Sequence, residues 1–274
     1  MKVAFVTPEL LTLVRRTSLA ELAEYLPRTL VQQGVDVRVF LPFTLDVDIQ
    51  ALEGLERIGN VTVKDGDGQA TFAIHHGKLA ELPIYLVDHP QLFRGRYPYG
   101  DQDGPYADNW LRYGLFSRAV LESLLLLDFP AEVIHCLDWT AGLLPLFREL
   151  EYADARPDHP AAQAGTFFGL HNLAMQGGFE REILGRLGIP HRFFQAVGGI
   201  ELGGKVNFLK AGIEFATIIA THSPAHAEHI QQLGRGDGLE ESFKRRKKEL
   251  VGIQNGIDYR AWDPATDALL AQNI

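Results

Sequence analysis

The sequence predicts an α/β fold, a Rossmann-like doubly wound parallel sheet carrying one β-hairpin insertion. Three observations point to it. Apolar runs of roughly four to eight residues alternate with longer stretches of helical period, the pattern of strands buried on both faces. The first such segments form a strand–helix–strand unit at the spacing of a right-handed crossover. Several runs also stop at polar side chains, and in open parallel sheets ligands bind just beyond the carboxyl ends of the strands.

Taken in order, Lys2 to Thr7 is the first buried strand. Leu19, Leu22, Ala23, Leu26 and Leu30 then recur at helical spacing, Pro27 is expected to bend that helix or break it locally, and Gly34 is placed to end it. Val35 to Leu41 alternates as the second strand. Val61 to Ile74 reads as a hairpin turning at Lys-Asp-Gly-Asp-Gly, and Ile84 to Asp88 as a strand. Asn109 to Leu127 is a long amphipathic helix, Glu132 to Leu137 a core strand, and Trp139 to Glu151 a helix. Arg156 to Gln163 is a surface connection. Thr166 to Leu170 is a buried strand, Lys205 to Ala216 a helix and Thr217 to Thr221 a strand. Ser223 is an N-cap with Pro224 in the first turn, and Leu250 to Gln254 is the last strand, stopping at Asn255-Gly256. No repeat or low-complexity segment appears, so the chain reads as one enlarged domain.

Bulk properties exclude several classes. A net charge of −9 argues against nucleic acid as the partner. No apolar run approaches the ~20 residues that span a bilayer. One cysteine, Cys136, allows no internal disulfide, and Pro8-Glu9 interrupts any secretory-type start, so the expected compartment is the cytoplasm. His222, His226 and His229 read as a solvated helix face and not as a metal site, since no HExxH or cysteine accompanies them. No metal and no cofactor is expected. The cationic run Lys244 to Lys248 reads as a solvated face, with an acidic partner or polyanion as the alternative.

The chemistry concentrates on Gly165 to Phe179, where a buried strand runs into His171-Asn172 and then Gly177-Gly178. A histidine that closes a core strand points to the ligand end of the sheet. Asp138, at the end of the Glu132–Leu137 strand, is placed in the same way. His135, within that strand, reads as a core histidine.

His171 to Gly177 (HNLAMQG) resembles the HNLAYQG signature of bacterial glycogen synthases and plant starch synthases, with Met175 in the tyrosine's place. Further stretches resemble the same family. They are Tyr99-Gly100-Asp101 through Gly104, Tyr106, Asp108-Asn109 and Arg112; Ile134 to Trp139, with Leu137 at the family's second histidine; Gly204 to Gly212; and Asn255 to Asp258 followed by Trp262 and Pro264. Nearly the whole chain is covered. The resemblance implies the N-terminal half of a two-Rossmann (GT-B) enzyme that moves glucose from ADP-glucose onto an α-1,4-glucan. Residues 1–264 would form the glucan-side domain and 265–274 the start of the linker to a C-terminal half.

Carried over residue by residue, the resemblance implies His171 and Asp138 as catalytic residues, with Asn172, Tyr99, Asn255, Arg15 and Ser18 contacting substrate. The implied partners are α-1,4-glucan or malto-oligosaccharide, ADP-glucose, and a C-terminal-domain partner. The departure lies at the first helix, where the family's Lys-Thr-Gly-Gly is Arg15-Arg16-Thr17-Ser18 here. Ser18 to Glu21 fits a capping box, which would occupy the N–H groups a diphosphate needs. Arg15 or Arg16 taking over the phosphate is the alternative. Lys205 and Lys210 read as lysines snorkelling over apolar neighbours. Without a C-terminal half these residues are not expected to transfer glucose alone. The competing expectation is a catalytically silent homologue that binds glucan or regulates a partner.

Overall fold

The computed structural model describes residues 1–259 and 262–272. Nine strands form the main sheet: β1 (Lys2–Val6), β2 (Asp36–Pro42), β3 (Glu53–Asp65), β4 (Gly68–Leu79), β5 (Leu82–Asp88), β6 (Val133–Leu137), β7 (Gly165–Leu170), β8 (Ile218–Thr221) and β9 (Leu250–Gly252). Their order is β9-β8-β7-β6-β1-β2-β5-β4-β3. Pairing is parallel from β9 to β5 and antiparallel at β5-β4 and β4-β3. The chain leaves β1 in one direction to β2 and β5, then returns to lay β6 on its other side. That reversal is the switch point at which doubly wound sheets open a crevice.

Alternation along β1 explains why both faces are covered. Val3 and Phe5 pack with Leu19 and Ala23 of α1 (Leu19–Gln32), whereas Ala4 and Val6 pack with Phe116 and Val120 of α2 (Asn109–Leu126) on the other face. α1 runs unbroken through Pro27, so of the expected bend or local break the break does not occur; the ring is buried. At its end Gly34 has φ of +81°. Its N–H donates to Val31 O at 2.9 Å and that of Val35 to Leu30 O at 3.0 Å, the double bond pattern of a Schellman stop.

Several boundaries differ from the sequence reading. The hairpin is longer than expected, running from Glu53 to Leu79 and joining the sheet through β5. α2 is buried on nearly every side, because the hairpin and the 139–153 region cover the face that would otherwise be solvated. The expected helix over Trp139–Glu151 is broken into a 3₁₀ turn (Trp139–Ala141), the short helix α3 (Leu144–Phe147) and a π-helical turn (Arg148–Ala153). Pro145 lacks the N–H that a continuous helix would use, and a Cβ on Gly142 would sit only 2.0 Å from Phe208 O.

Another short helix, α4, covers Ile183–Arg186. Residues 205–207 belong not to a helix but to a small antiparallel sheet with Gly178–Phe179 and Glu201–Leu202. Asn207 then caps α5 (Phe208–Phe215), its Oδ1 accepting from Lys210 N at 2.8 Å. The last strand stops at Gly252, two residues early. Ser223 caps α6 (Pro224–His229) as expected, accepting from His226 N at 3.0 Å.

Candidate functional site

β6 and β7 are neighbours in the sheet and β1 flanks β6, so three strand ends converge. The residue after β6 is Asp138, held at φ +51° and ψ −171°, a backbone state non-glycine residues rarely adopt. Its Oδ1 accepts from His171 N at 2.7 Å and from Asn172 N at 3.4 Å. The carboxylate therefore fixes the turn that follows β7. Burial pushes its pKa up to about 7, and the Glu9 carboxylate acts in the same direction. The two backbone N–H donors pull the other way, so the group is poised between its charged and neutral forms near neutrality.

His171 is half-buried beside it. Its Nε2 shares a hydrogen bond of 3.0 Å with Ser18 Oγ, while its Nδ1 is buried without a partner. Burial, then the nearby His222, holds its pKa below the usual imidazole value, which leaves a neutral ring. Asn172 is exposed, and its side chain closes its own turn by accepting from Ala174 N at 3.0 Å. Asn255 lies exposed beyond β9 and forms no hydrogen bond with this group.

Sequence reasoning missed the residue that organises the first turn. Glu9, fully buried two residues beyond Thr7, accepts from Arg16 N at 2.6 Å, Thr17 N at 2.7 Å and Thr17 Oγ1 at 2.9 Å. The Tyr99 hydroxyl donates to its other oxygen face, so Tyr99 is tied to the site floor and its phenol pKa is driven up, first by burial and then by Glu9. An acidic residue just past the end of the central strand was the available signal. The expected capping box does not form. Ser18 has φ −66° and ψ −13°, helical values that turn its hydroxyl away from the helix N–H groups, and it bonds to His171 instead. Glu21 pairs with Arg15 at 3.1 Å.

The sequence model of one protein family, described as the starch synthase catalytic domain, matches residues 2–245. This chain belongs to that family. Glycogen synthase from Geotalea daltonii is 35% identical over 274 residues, which are all of this chain and 56% of that protein. Glycogen synthase 2 from Geobacter sulfurreducens is 36% identical, again over the whole chain and 56% of its own length. The catalytic domain of Starch Synthase IV from Arabidopsis thaliana, bound to ADP and acarbose, superposes with a TM-score of 0.85 at 26% identity, covering 99% of this chain and 55% of that one. The chain thus spans about half the length of the relatives it matches, their N-terminal half. The GT-B-type fold expected from the sequence is the fold found.

Set against the starch synthase signatures, the residues divide by role. In the Tyr99–Arg112 segment, Arg112 is fully buried and donates to the carbonyls of Leu92 at 2.6 Å, Pro98 at 2.8 Å and Tyr97 at 2.8 Å, and to Asn109 Oδ1 at 2.6 Å. It pins the loop that carries Tyr99. Asp108 occupies the N-cap position of α2, but its carboxylate bonds no helix N–H and forms a two-pronged pair with Arg96. Lys210 does not snorkel to water but is buried, its Nζ donating to Ala196 O at 2.6 Å and Glu201 O at 2.5 Å. Lys205 remains exposed and pairs with Glu180 at 3.2 Å.

At the turn before α1 both arginines are engaged, Arg15 with Glu21 and Arg16 with Asp46 at 2.6 Å and over the Tyr97 ring. His135 is a core residue between the rings of Phe5 and Phe167, its pKa lowered to about 3 by burial. Within 244–248, Arg246 of the turn after α7 (Glu240–Arg245) donates to the last carbonyls of α5. Among the described residues no group of three histidine, cysteine or acidic side chains could hold a metal, and no helix is long and apolar enough to cross a membrane.

Proposed function

We propose that residues 1–264 form the glucan-side domain of a retaining glucosyltransferase of the glycogen/starch synthase type, acting on α-1,4-glucan or malto-oligosaccharide. In this reading 265–274 begin the linker to a C-terminal-domain partner; residues 273 and 274 lie outside the described residues. His171 and Asp138 line the sugar site, with Asn172 and Tyr99 beside them. Ser18, Arg15 and Asn255 are the residues proposed to meet the donor. The observation that carries this is the junction of Asp138 Oδ1 with His171 N, 2.7 Å long, at the ends of adjacent parallel strands. A neutral imidazole and a carboxyl group near its pKa offer the donor and acceptor pair that sugar hydroxyls require. The ADP and acarbose held by the Arabidopsis neighbour support ADP-glucose and an α-glucan as the substrate classes.

Titration of the chain with maltohexaose in a calorimeter tests the reading. Saturable binding that weakens in Asn172→Ala is expected, and no heat at millimolar sugar overturns it. Glucosyl transfer is not expected from these residues alone, because the family's reaction closes two domains over the donor.

One observation favours a second reading, a glucan-binding module without transferase chemistry. Thr17 and Ser18 put side chains where the family has glycines, and Ser18 Oγ occupies His171 Nε2 at 3.0 Å. Transfer of glucose from ADP-glucose, measured on the chain joined to a relative's C-terminal half, rules this second reading out.

A further inference from the structure

Away from the strand ends, β3, α2, the π-helical turn and the segment after α4 enclose a cavity of about 490 Å³. Four cationic side chains line it, Lys64, Arg118, Arg156 and Arg192, against two carboxylates, Glu122 and Glu151. This is a local excess of positive charge in a chain whose net charge is −9. Each carboxylate already has an arginine. Glu151 takes Arg118 at 2.6 Å, and Glu122 takes Arg156 together with the Tyr152 hydroxyl at 2.8 Å. Lys64 and Arg192 have no acidic partner among the described residues.

Three features mark this as more than a solvated basic face. Arg118 is only 2% exposed, and its Nη1 is buried without an acceptor. A buried guanidinium N–H left without an acceptor is unfavourable, so such a group normally has one. Lys64 Nζ and Arg118 Nη2 also converge: a Cβ built on Gly188, whose φ is +61°, would lie 3.9 Å from both. Arg118 Nη2 at that corner already donates to Glu151 Oε1 and to Leu187 O, both at 2.6 Å, whereas Lys64 has no acidic partner among the described residues. The π-helical turn Arg148–Ala153, which supplies Glu151 and Tyr152, is a local geometry that recurs at functional sites.

We propose that this cavity binds a small phosphate-bearing anion, free phosphate or a phosphate monoester of hexose size, gripped by Lys64, Arg118 and Arg192. Guanidinium and ammonium groups on three separate elements suit a tetrahedral dianion, which accepts hydrogen bonds on several faces at once. The site is separate from the sugar site and does not depend on the glucosyltransferase reading.

The test is calorimetric titration of the 274-residue chain with inorganic phosphate and, separately, with a hexose monophosphate, in the absence of nucleotide and glucan. Lys64→Gln and Arg192→Gln are the informative variants, because both side chains are exposed and removing their charge leaves the core intact. Saturable binding is expected, weakened about tenfold by either substitution and further by the pair, and weakened by salt. Tighter binding of the hexose ester identifies an organic phosphate as the ligand, and equal affinities identify phosphate itself. The proposal is overturned if no saturable heat appears at millimolar anion, or if the double variant binds as the parent does.

Discussion

Replacement of Glu9 by glutamine removes one charge and almost no volume, and so isolates the bonds that hold the turn before α1. The carboxylate accepts from two backbone N–H groups on one oxygen, at 2.6 and 2.7 Å, and from the hydroxyls of Thr17 and Tyr99 on the other. An amide offers only one oxygen. With its NH₂ toward Arg16 and Thr17, two charge-assisted bonds become donor–donor contacts, and each such bond contributes about 1.5–3 kcal/mol. With the amide flipped, the hydroxyls must reorient and the same two N–H groups keep a weaker, neutral acceptor. The expected loss is ~3 kcal/mol. At ~2–4 °C per kcal/mol for a chain somewhat larger than 150–250 residues, Glu9→Gln should melt roughly 6–12 °C lower.

The turn lies at one end of the sheet, so part of the loss can appear as local opening. Hydrogen exchange at the Arg16 and Thr17 amides reads that share. A melting point within about 2 °C of the parent, together with unchanged protection of those two amides, refutes the account.

Two further outcomes follow from the same contacts. Asp138 has a folded pKa of about 7, above its ordinary value, so between roughly pH 4 and 7 the folded chain binds a proton that the unfolded chain has released. Its contribution to stability is therefore full below that window and is lost as pH rises through it, with a slope of up to about 1.4 kcal/mol per pH unit. Asp138→Asn should flatten this window in urea melts taken across pH, and an unchanged slope would show that the group titrates normally. Arg112→Met leaves the carbonyls of Leu92 and Tyr97 and Asn109 Oδ1 without their donor, Pro98 O keeping the Tyr113 hydroxyl, and should destabilise the chain by ~3–5 kcal/mol in denaturant titrations, with loosened exchange over residues 92–99. A loss below about 1 kcal/mol would mean that the loop holds itself.

Much of this was legible in the sequence, and the reason is periodicity. Burial on one helix face or on two strand faces writes itself into residue order. The alternation around α1, the strands β1, β2, β6 and β7, and the polar residues at their ends could therefore be placed, and the strand-end motifs identified the family. Local stop chemistry was equally readable at Gly34 and Ser223, where a single residue decides the outcome.

What only the tertiary structure decided was the choice among competing partners. Ser18 and Glu21 have the spacing of a capping box, yet His171 and Arg15 claim them, because folding brings the end of β7 to the head of α1 across 153 residues of sequence. Glu9 carries no motif, and its importance appears only when four donors converge on it. Lys210 looked like a charge bound for water, yet it is buried because loop carbonyls surround it, as they surround Arg112. The helix expected from Trp139 fails where Gly142 meets Phe208 from a distant segment. Sequence order thus set which faces are apolar and where strands end. Which donor meets which acceptor was settled by proximity in space, a property that no local pattern encodes.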